Sequence, residues 1–198
     1  MTIDALHIDL NSAMLRPGTI RAMLRAAADA GLDLDGVAAA AEMALANTRT
    51  MGVALSACIV PEAGKATFSI SDDEIEIGMG IHGEPGIEVR KMMTADEIAD
   101  LLVDKIVADM PLKNGDEAAV MVNGLGGTPL EEQYIVYRKV HSRLAEMGVT
   151  VCMPHIGEFA TSMEMAGLSV TVMKLNPELK AYLAAPAATP FYTNSNKV

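Results

Sequence analysis

The chain changes its hydrophobic period several times, and each change marks an element. "TIRAMLRAAADAG" carries apolar residues at helical spacing and predicts a helix capped by Thr19 and ended by Gly31. "LDGVAAAAEMALANTRT" predicts a second helix, capped by Asp33 or Asp35, whose alanines allow close packing on a neighbour. The period then becomes two. "VALSACIV" (53–60), "TFSI" (67–70) and "EIEIGMGI" (74–81) read as successive strands, and their short, turn-rich connections predict antiparallel neighbours.

The helical period returns in "TADEIADLLVDKIVADM". Thr94 and Glu97 form a capping box ahead of an apolar stripe of Ile98, Leu101, Leu102 and Ile106. "EAAVMVNGLGG" predicts a buried strand running into a glycine turn. "TPLEEQYIVYRKVHSRLAEMG" predicts a helix with Thr128 as cap, Pro129 at its first position and Gly148 as its stop. "VTVCMPHI" and "LSVTVMKL" read as strands joined by "GEFATSMEMAG", and Asn176-Pro177 opens a last short helix to about Ala184. A strand meander followed by strands separated by helices predicts an α/β fold with a mixed sheet in layers. The expected organisation is an irregular arm over 1–18, one main domain over 19–184 and a Pro-rich irregular tail over 185–198.

Composition narrows the class. Hydrophobic residues make up 51% and aromatics 4%, with no Trp and 15 Met, so the core is aliphatic. A formal charge of -11 repels phosphate backbones and anionic lipid, which argues against nucleic acid and membrane surfaces as partners. Two cysteines, Cys58 and Cys152, make no disulfide scaffold and read as reduced thiols of a cytoplasmic protein. "MTIDALHIDL" lacks the basic and apolar regions of a secretory signal, and no apolar run is long enough for a membrane span.

Several segments could carry chemistry. Gly78, Gly80 and Gly83 spell G-x-G-x-x-G, but Glu84-Pro85-Gly86 follows where a phosphate-binding helix would have to begin. "AGKAT" lacks the P-loop's first glycine, since Ile59 stands there. The glycine turn Gly126-Gly127-Thr128 offers helix-end amides to an anion or a partner's carboxylate, with a plain strand-to-helix turn the favoured reading. Cys152 and His155, with Glu158 nearby, have metal-ligand spacing but no assured third donor, so a structural histidine and a buried thiol are expected and no metal is assigned. His141 is expected to be solvated, and His7 lies in the weakly patterned arm. His82 differs from these. It stands at a strand end between Gly80 and Gly83, where missing side-chain bulk lets a ligand reach the imidazole. A histidine in a tight turn and a histidine offered as nucleophile, base or ligand stand equal on the residues alone.

The longer pattern around His82 resembles a known family. "NTRTMGVALSACIVPEAGKATFSISDDEIEIGMGIHGEPGIE", "VNGLGGTPLEEQYIVY", "HIGEFATSMEMAGLSVTVMKLN" and "APAATPFYTN" are similar, in order, to the substrate-binding (K-type) subunit of dihydroxyacetone kinase, over roughly residues 26 to 194. The resemblance implies that His82 adds to the carbonyl of dihydroxyacetone or a related short ketose as a hemiaminal, with Gly80, Gly83 and Glu84 forming its loop. It implies no cofactor held by this chain. Phosphate, from ATP or phosphoenolpyruvate, comes through a nucleotide-bearing kinase subunit. Family members begin with a further α/β domain that supplies the acid–base residues, and residues 1–25 do not match it. A split or shortened subunit is therefore expected, active only with partner chains, among them a separate chain for that domain. The alternative is a non-catalytic ketose-sensing or assembly module. Apolar surface left by the unmatched domain is expected to be buried by a partner or by a second copy in a homo-oligomer.

Overall fold

The computed structural model describes residues 17–62, 64–66, 68–79, 86–188 and 193–195, with 17–22 described by their main chain alone. The chain falls into two compact units, one of residues 1–48 with 173–198 and one of residues 49–172.

The first unit is helical. Helix α1 (Pro17–Asp29) packs against α2 (Leu34–Ala46) and α5 (Pro177–Ala184). α1 begins two residues before the predicted cap at Thr19, and Gly31 at φ +91° turns the chain out of it. Asp33 caps α2 by accepting from the Gly36 amide at 2.9 Å, and Ala40, Ala41 and Ala44 are buried along one face. Asn176 caps α5 in the same way, accepting from the Leu179 amide at 2.7 Å. The tail expected to be irregular instead forms a small antiparallel ladder between β9 (Ala187–Ala188) and β10 (Thr193–Asn194). Asn194 ties it down by donating to the carbonyls of Leu183 and Ala185 at 2.9 and 3.1 Å.

α2 ends four residues earlier than the alanine pattern suggested. Asn47 closes it, and Thr48-Arg49-Thr50 already belong to β1 (Thr48–Ala54), where β-branched residues fit the pleat. The predicted strand 53–60 breaks after Ala54, because Leu55 and Ser56 both turn their amides to the Ala166 carbonyl, at 2.7 and 3.2 Å. Its last two residues form β2 (Ile59–Val60), in a hairpin with β3 (Lys65–Ala66) turned at Gly64. The predicted strand 67–70 is therefore displaced to 65–66, and Phe68 is drawn against a buried apolar cluster.

The second unit holds a six-stranded mixed sheet, ordered β5-β4-β1-β8-β6-β7. Its other strands are β4 (Glu74–Ile77), β5 (Glu88–Lys91), β6 (Glu117–Gly124), β7 (Thr150–Gly157) and β8 (Gly167–Leu175). β4 pairs antiparallel with β1 and β5, and β6 runs parallel to β7. Helices α3 (Ala95–Asp109) and α4 (Leu130–Glu146) pack on each other, and their apolar stripes share a core with Val53, Ile75, Ile77, Val120, Val122, Val170 and Val172. The Thr94–Glu97 capping box is present as predicted, and Ile98, Leu102 and Ile106 are buried with Ala99 and Val103. Each large apolar side chain so buried contributes roughly 1.5–3 kcal/mol.

Candidate functional site

Gly80, His82, Gly83 and Glu84 lie outside the described residues. The two ends of their loop are described, and both are fixed. On the entry side, Gly78 leaves β4 at φ +82°, a conformation that favours glycine, and its amide donates to the Gly52 carbonyl at 2.8 Å. Met79 is 2% exposed and joins a cluster with Ala54, Cys58, Leu125 and Met165. On the exit side, the Gly86 amide donates to Glu76 Oε1 and the Ile87 amide to the Ile77 carbonyl, both at 2.7 Å. A Cβ at Gly86 would lie 2.6 Å from the Ile77 carbonyl oxygen, so the return to the sheet needs glycine there. The residues flanking the histidine-bearing segment thus form two fixed posts, Met79 by apolar packing and Gly86 by hydrogen bonding.

The apolar post reaches the second predicted segment. Leu125, in the cluster with Met79, belongs to the glycine turn after β6. Its amide donates to Gly167 at 3.1 Å and its carbonyl accepts from Ser162 at 2.8 Å. Gly126 sits at φ +119° and Gly127 donates to the Met165 carbonyl at 2.9 Å. Thr128 is not the side-chain cap of α4. Pro129 holds that position with no side-chain bond, because the Thr128 hydroxyl is engaged by Gly167, donating to its carbonyl at 2.7 Å and accepting from its amide at 2.8 Å. Gly126 and Gly127 are exposed, whereas Thr128 is buried. Glu131 and Glu132 place negative charge in the first turn of α4, where it complements the helix dipole.

Residues without any local sequence signal lace this end of the sheet. Asn123 is 1% exposed; its Oδ1 accepts from the Phe159 and Ala160 amides at 2.9 and 3.2 Å, and its Nδ2 donates to the Ala160 carbonyl at 3.1 Å. Buried Gln133 donates through Nε2 to the Thr128 carbonyl at 2.9 Å and to Glu158 Oε1 at 2.6 Å. Ser56 Oγ accepts from the Ala166 amide at 3.0 Å, and Glu164 Oε1 accepts from the Ile59 amide at 2.7 Å. Loops 55–60, 124–128 and 158–166 are therefore one connected body.

Cys152 and His155 lie on β7. The Cys152 thiol, half-buried, donates to Glu117 Oε1 at 3.3 Å. The His155 ring meets Phe159 edge-on, with centroids 6.3 Å apart, and burial holds its pKa below the ordinary histidine value. Among the described residues no group of three His, Cys, Asp or Glu side chains is placed to hold a metal ion. His141 is exposed beside Tyr137. No helix among the described residues is long and apolar enough to cross a membrane.

Comparison with known proteins places this arrangement. Residues 19–191 match the Dak1 domain. The chain is 48% identical to the dihydroxyacetone-binding subunit DhaK of PTS-dependent dihydroxyacetone kinase 2 from Listeria innocua, over 84% of this chain and 50% of that protein. It is 47% identical to D-erythrulose kinase from Mycolicibacterium smegmatis, over 84% of this chain and 29% of that protein. Among solved structures, the dihydroxyacetone kinase operon co-activator Dha-DhaQ superposes with a TM-score of 0.79 at 33% identity, over 85% of this chain and 52% of that one. The chain thus spans half or less of the length of the two curated relatives. A family match over most of its residues, on a mixed sheet of the same fold, makes the conclusion plain: the chain belongs to the Dak1 domain family.

Proposed function

We propose that this chain is the ketose-capturing part of a dihydroxyacetone kinase, and that His82 binds the ketose covalently. The observation that carries the reading is the pair of fixed posts, Met79 and Gly86, on either side of the histidine-bearing segment in a chain of the Dak1 domain family. A nucleophile must be held near its electrophile to gain from proximity, and a loop pinned at both ends loses less freedom on binding.

In the proposed step, a lone pair of the neutral imidazole attacks the ketose carbonyl carbon. The carbonyl oxygen takes up a proton as the ring gives one up, so no water leaves and the bond reverses without a co-reactant. Only an unhindered ketone or aldehyde accepts that bond, so a polyol is excluded by chemistry and not by shape. The captured hydroxyl then accepts a phosphoryl group carried by a partner subunit, a transfer that depends mainly on positioning and charge stabilisation. Dihydroxyacetone and the four-carbon erythruloses are the substrate class, in keeping with the relatives' names.

Intact mass spectrometry with dihydroxyacetone tests the step. An adduct of the full ketose mass is expected on the wild-type chain and none on His82→Ala. An adduct lighter by one water would point to a lysine imine, and no adduct with partner subunits present would end the proposal.

The likeness to an operon co-activator favours a second reading, capture of the same ketose for sensing without transfer. Assay with kinase partner subunits separates the two. Phosphoryl transfer that is lost in His82→Ala supports catalysis, and adduct formation without transfer supports sensing.

A further inference from the structure

Beyond the paired residues of β4 and β5, the Ile87 amide donates to the Ile77 carbonyl at 2.7 Å. One residue further out, a side chain takes over from the main chain. The Gly86 amide donates to Glu76 Oε1, also at 2.7 Å. The strand that carries this carboxylate is fixed on both sides, with Glu76 opposite Ala54 of β1 and Val89 of β5. Its neighbours Ile75 and Ile77 are fully buried. Side chains alternate along a strand, so half-buried Glu76 stands on the other face of the sheet from theirs.

The two residues fit closely. A Cβ on Gly86 would lie 2.6 Å from Glu76 Cγ and 3.0 Å from its Oε1. The stem of Glu76 therefore packs on the Gly86 main chain while the carboxylate holds the amide. Neighbouring carboxylates are engaged differently. Glu74 pairs with Lys91 at 3.3 Å and Glu88 with Arg90 at 3.0 Å, whereas Glu76 is in no described ion pair. Strand pairing does not call for glutamate at this position either, since the residue is depleted in strands.

We infer that Glu76 is a positioning residue for ketose capture: it fixes Gly86, and through Gly86 the segment that carries His82. His82 stands four positions before Gly86 in the chain. An anchor already in place when the ketose arrives reduces the freedom lost on binding, and so raises affinity without touching the ketose. Met79 anchors the entry by filling space, and Glu76 anchors the exit by placing one acceptor oxygen. Reach, and not charge, is then what matters at position 76. The role rests on His82 being the capturing group, as proposed for this chain.

Three substitutions separate reach from charge. Glu76→Gln keeps the acceptor at the same distance and loses the charge. Glu76→Asp keeps the charge and is one methylene too short. Glu76→Ala loses both. Each chain is titrated with dihydroxyacetone in the presence of partner subunits, and the adduct is read by intact mass spectrometry. A hydrogen bond to a charged group shifts an equilibrium by about tenfold or more, so the midpoint should rise about tenfold in Glu76→Ala and Glu76→Asp. Glu76→Gln should stay within about threefold of wild type, because a neutral acceptor keeps part of the bond. Partial unfolding would lower the final occupancy, whereas lost positioning moves the midpoint and leaves full occupancy within reach. Exchange of the Gly86 amide, followed by NMR without ketose, should quicken in Glu76→Ala and Glu76→Asp and not in Glu76→Gln.

A wild-type adduct with unchanged midpoints in Glu76→Ala and Glu76→Asp overturns the role of Glu76 and leaves capture by His82 standing. Glu76→Gln behaving like Glu76→Ala also overturns it, by assigning the effect to charge. A wild type that forms no adduct ends both.

Discussion

The Thr128 hydroxyl clasps Gly167 from both sides, donating to its carbonyl at 2.7 Å and accepting from its amide at 2.8 Å. One side chain thereby joins the start of α4 to the start of β8, 39 residues later. The Gly167 carbonyl has a second donor in the Leu125 amide, so removal of the hydroxyl orphans only the Gly167 amide. Thr128→Val keeps the shape and loses the hydroxyl, and should cost about 2 kcal/mol in urea unfolding. Thr128→Ser keeps the clasp and should stay within about 0.5 kcal/mol of wild type.

Gly126 is held where no other residue fits. A Cβ there would lie 1.8 Å from the Met163 carbonyl oxygen, at a φ of +119°. Gly126→Ala must therefore displace loop 158–166 or the turn itself. The expected loss is about 3 kcal/mol, together with faster proteolysis within 158–166. Unchanged cleavage in that loop would show that the turn, and not the loop, gives way.

How much of this was legible in the sequence depends on where each element gets its stability. α3, α4, β6 and β8 are long and periodic, and their capping and stop residues lie within a few positions, so local pattern places them. β5 has no such local signal, because "EVRK" lacks apolar alternation; it is a strand through its pairing with β4. Thr128 looked like a cap because the cap signature is local, whereas Gly167, which takes its hydroxyl, is remote. For the site, His82 and its glycines could be singled out from one loop. Asn123, Gln133, Ser56 and Glu164 could not, because their partners come from other loops. Met79 passes in the sequence as one more strand residue, and only the cluster with Leu125 and Met165 gives it the role of a post.

That role makes a further expectation. Met79→Ala would empty a 2%-exposed position in a small cluster with few neighbours able to close in. Stability should fall by about 2–4 kcal/mol. If the post positions His82, the ketose adduct should also weaken at temperatures well below the unfolding transition. Met79→Leu, of similar volume, should restore both. An adduct yield in Met79→Ala equal to wild type, measured on folded protein, would confine Met79 to stability.

The capping box of α3 offers a plain energetic control. Thr94 Oγ1 accepts from the Glu97 amide at 3.3 Å, while Glu97 Oε2 accepts from the Thr94 amide at 2.8 Å. That main-chain bond, with one from the Thr94 hydroxyl, holds the Glu97 carboxyl below the usual carboxylate range. Thr94→Ala should cost about 1 kcal/mol, a fall in Tm of about 2–4 °C for a chain of this size. Calorimetry should find ketose binding unchanged in this variant.

His155 gives stability a pH dependence whose sign can be worked out. Burial lowers its pKa from the ordinary 6.5, and a main-chain hydrogen bond with Met153 opposes that shift more weakly. The unfolded chain takes up a proton on this ring as pH falls through 6.5, while the folded chain takes it up only at lower pH. Unfolding then binds protons, so this contribution is present above the unfolded pKa and is lost as pH falls toward the folded one. Replacing the ring removes the difference. Between about pH 7.5 and pH 5.5 the wild type should therefore lose more Tm than His155→Gln. The rest of the sequence is the same in both proteins, so its contribution cancels in the comparison. Equal losses would show that the His155 ring charges as readily inside the fold as outside it, and a smaller loss in the wild type would mean that the folded protein favours the charged ring.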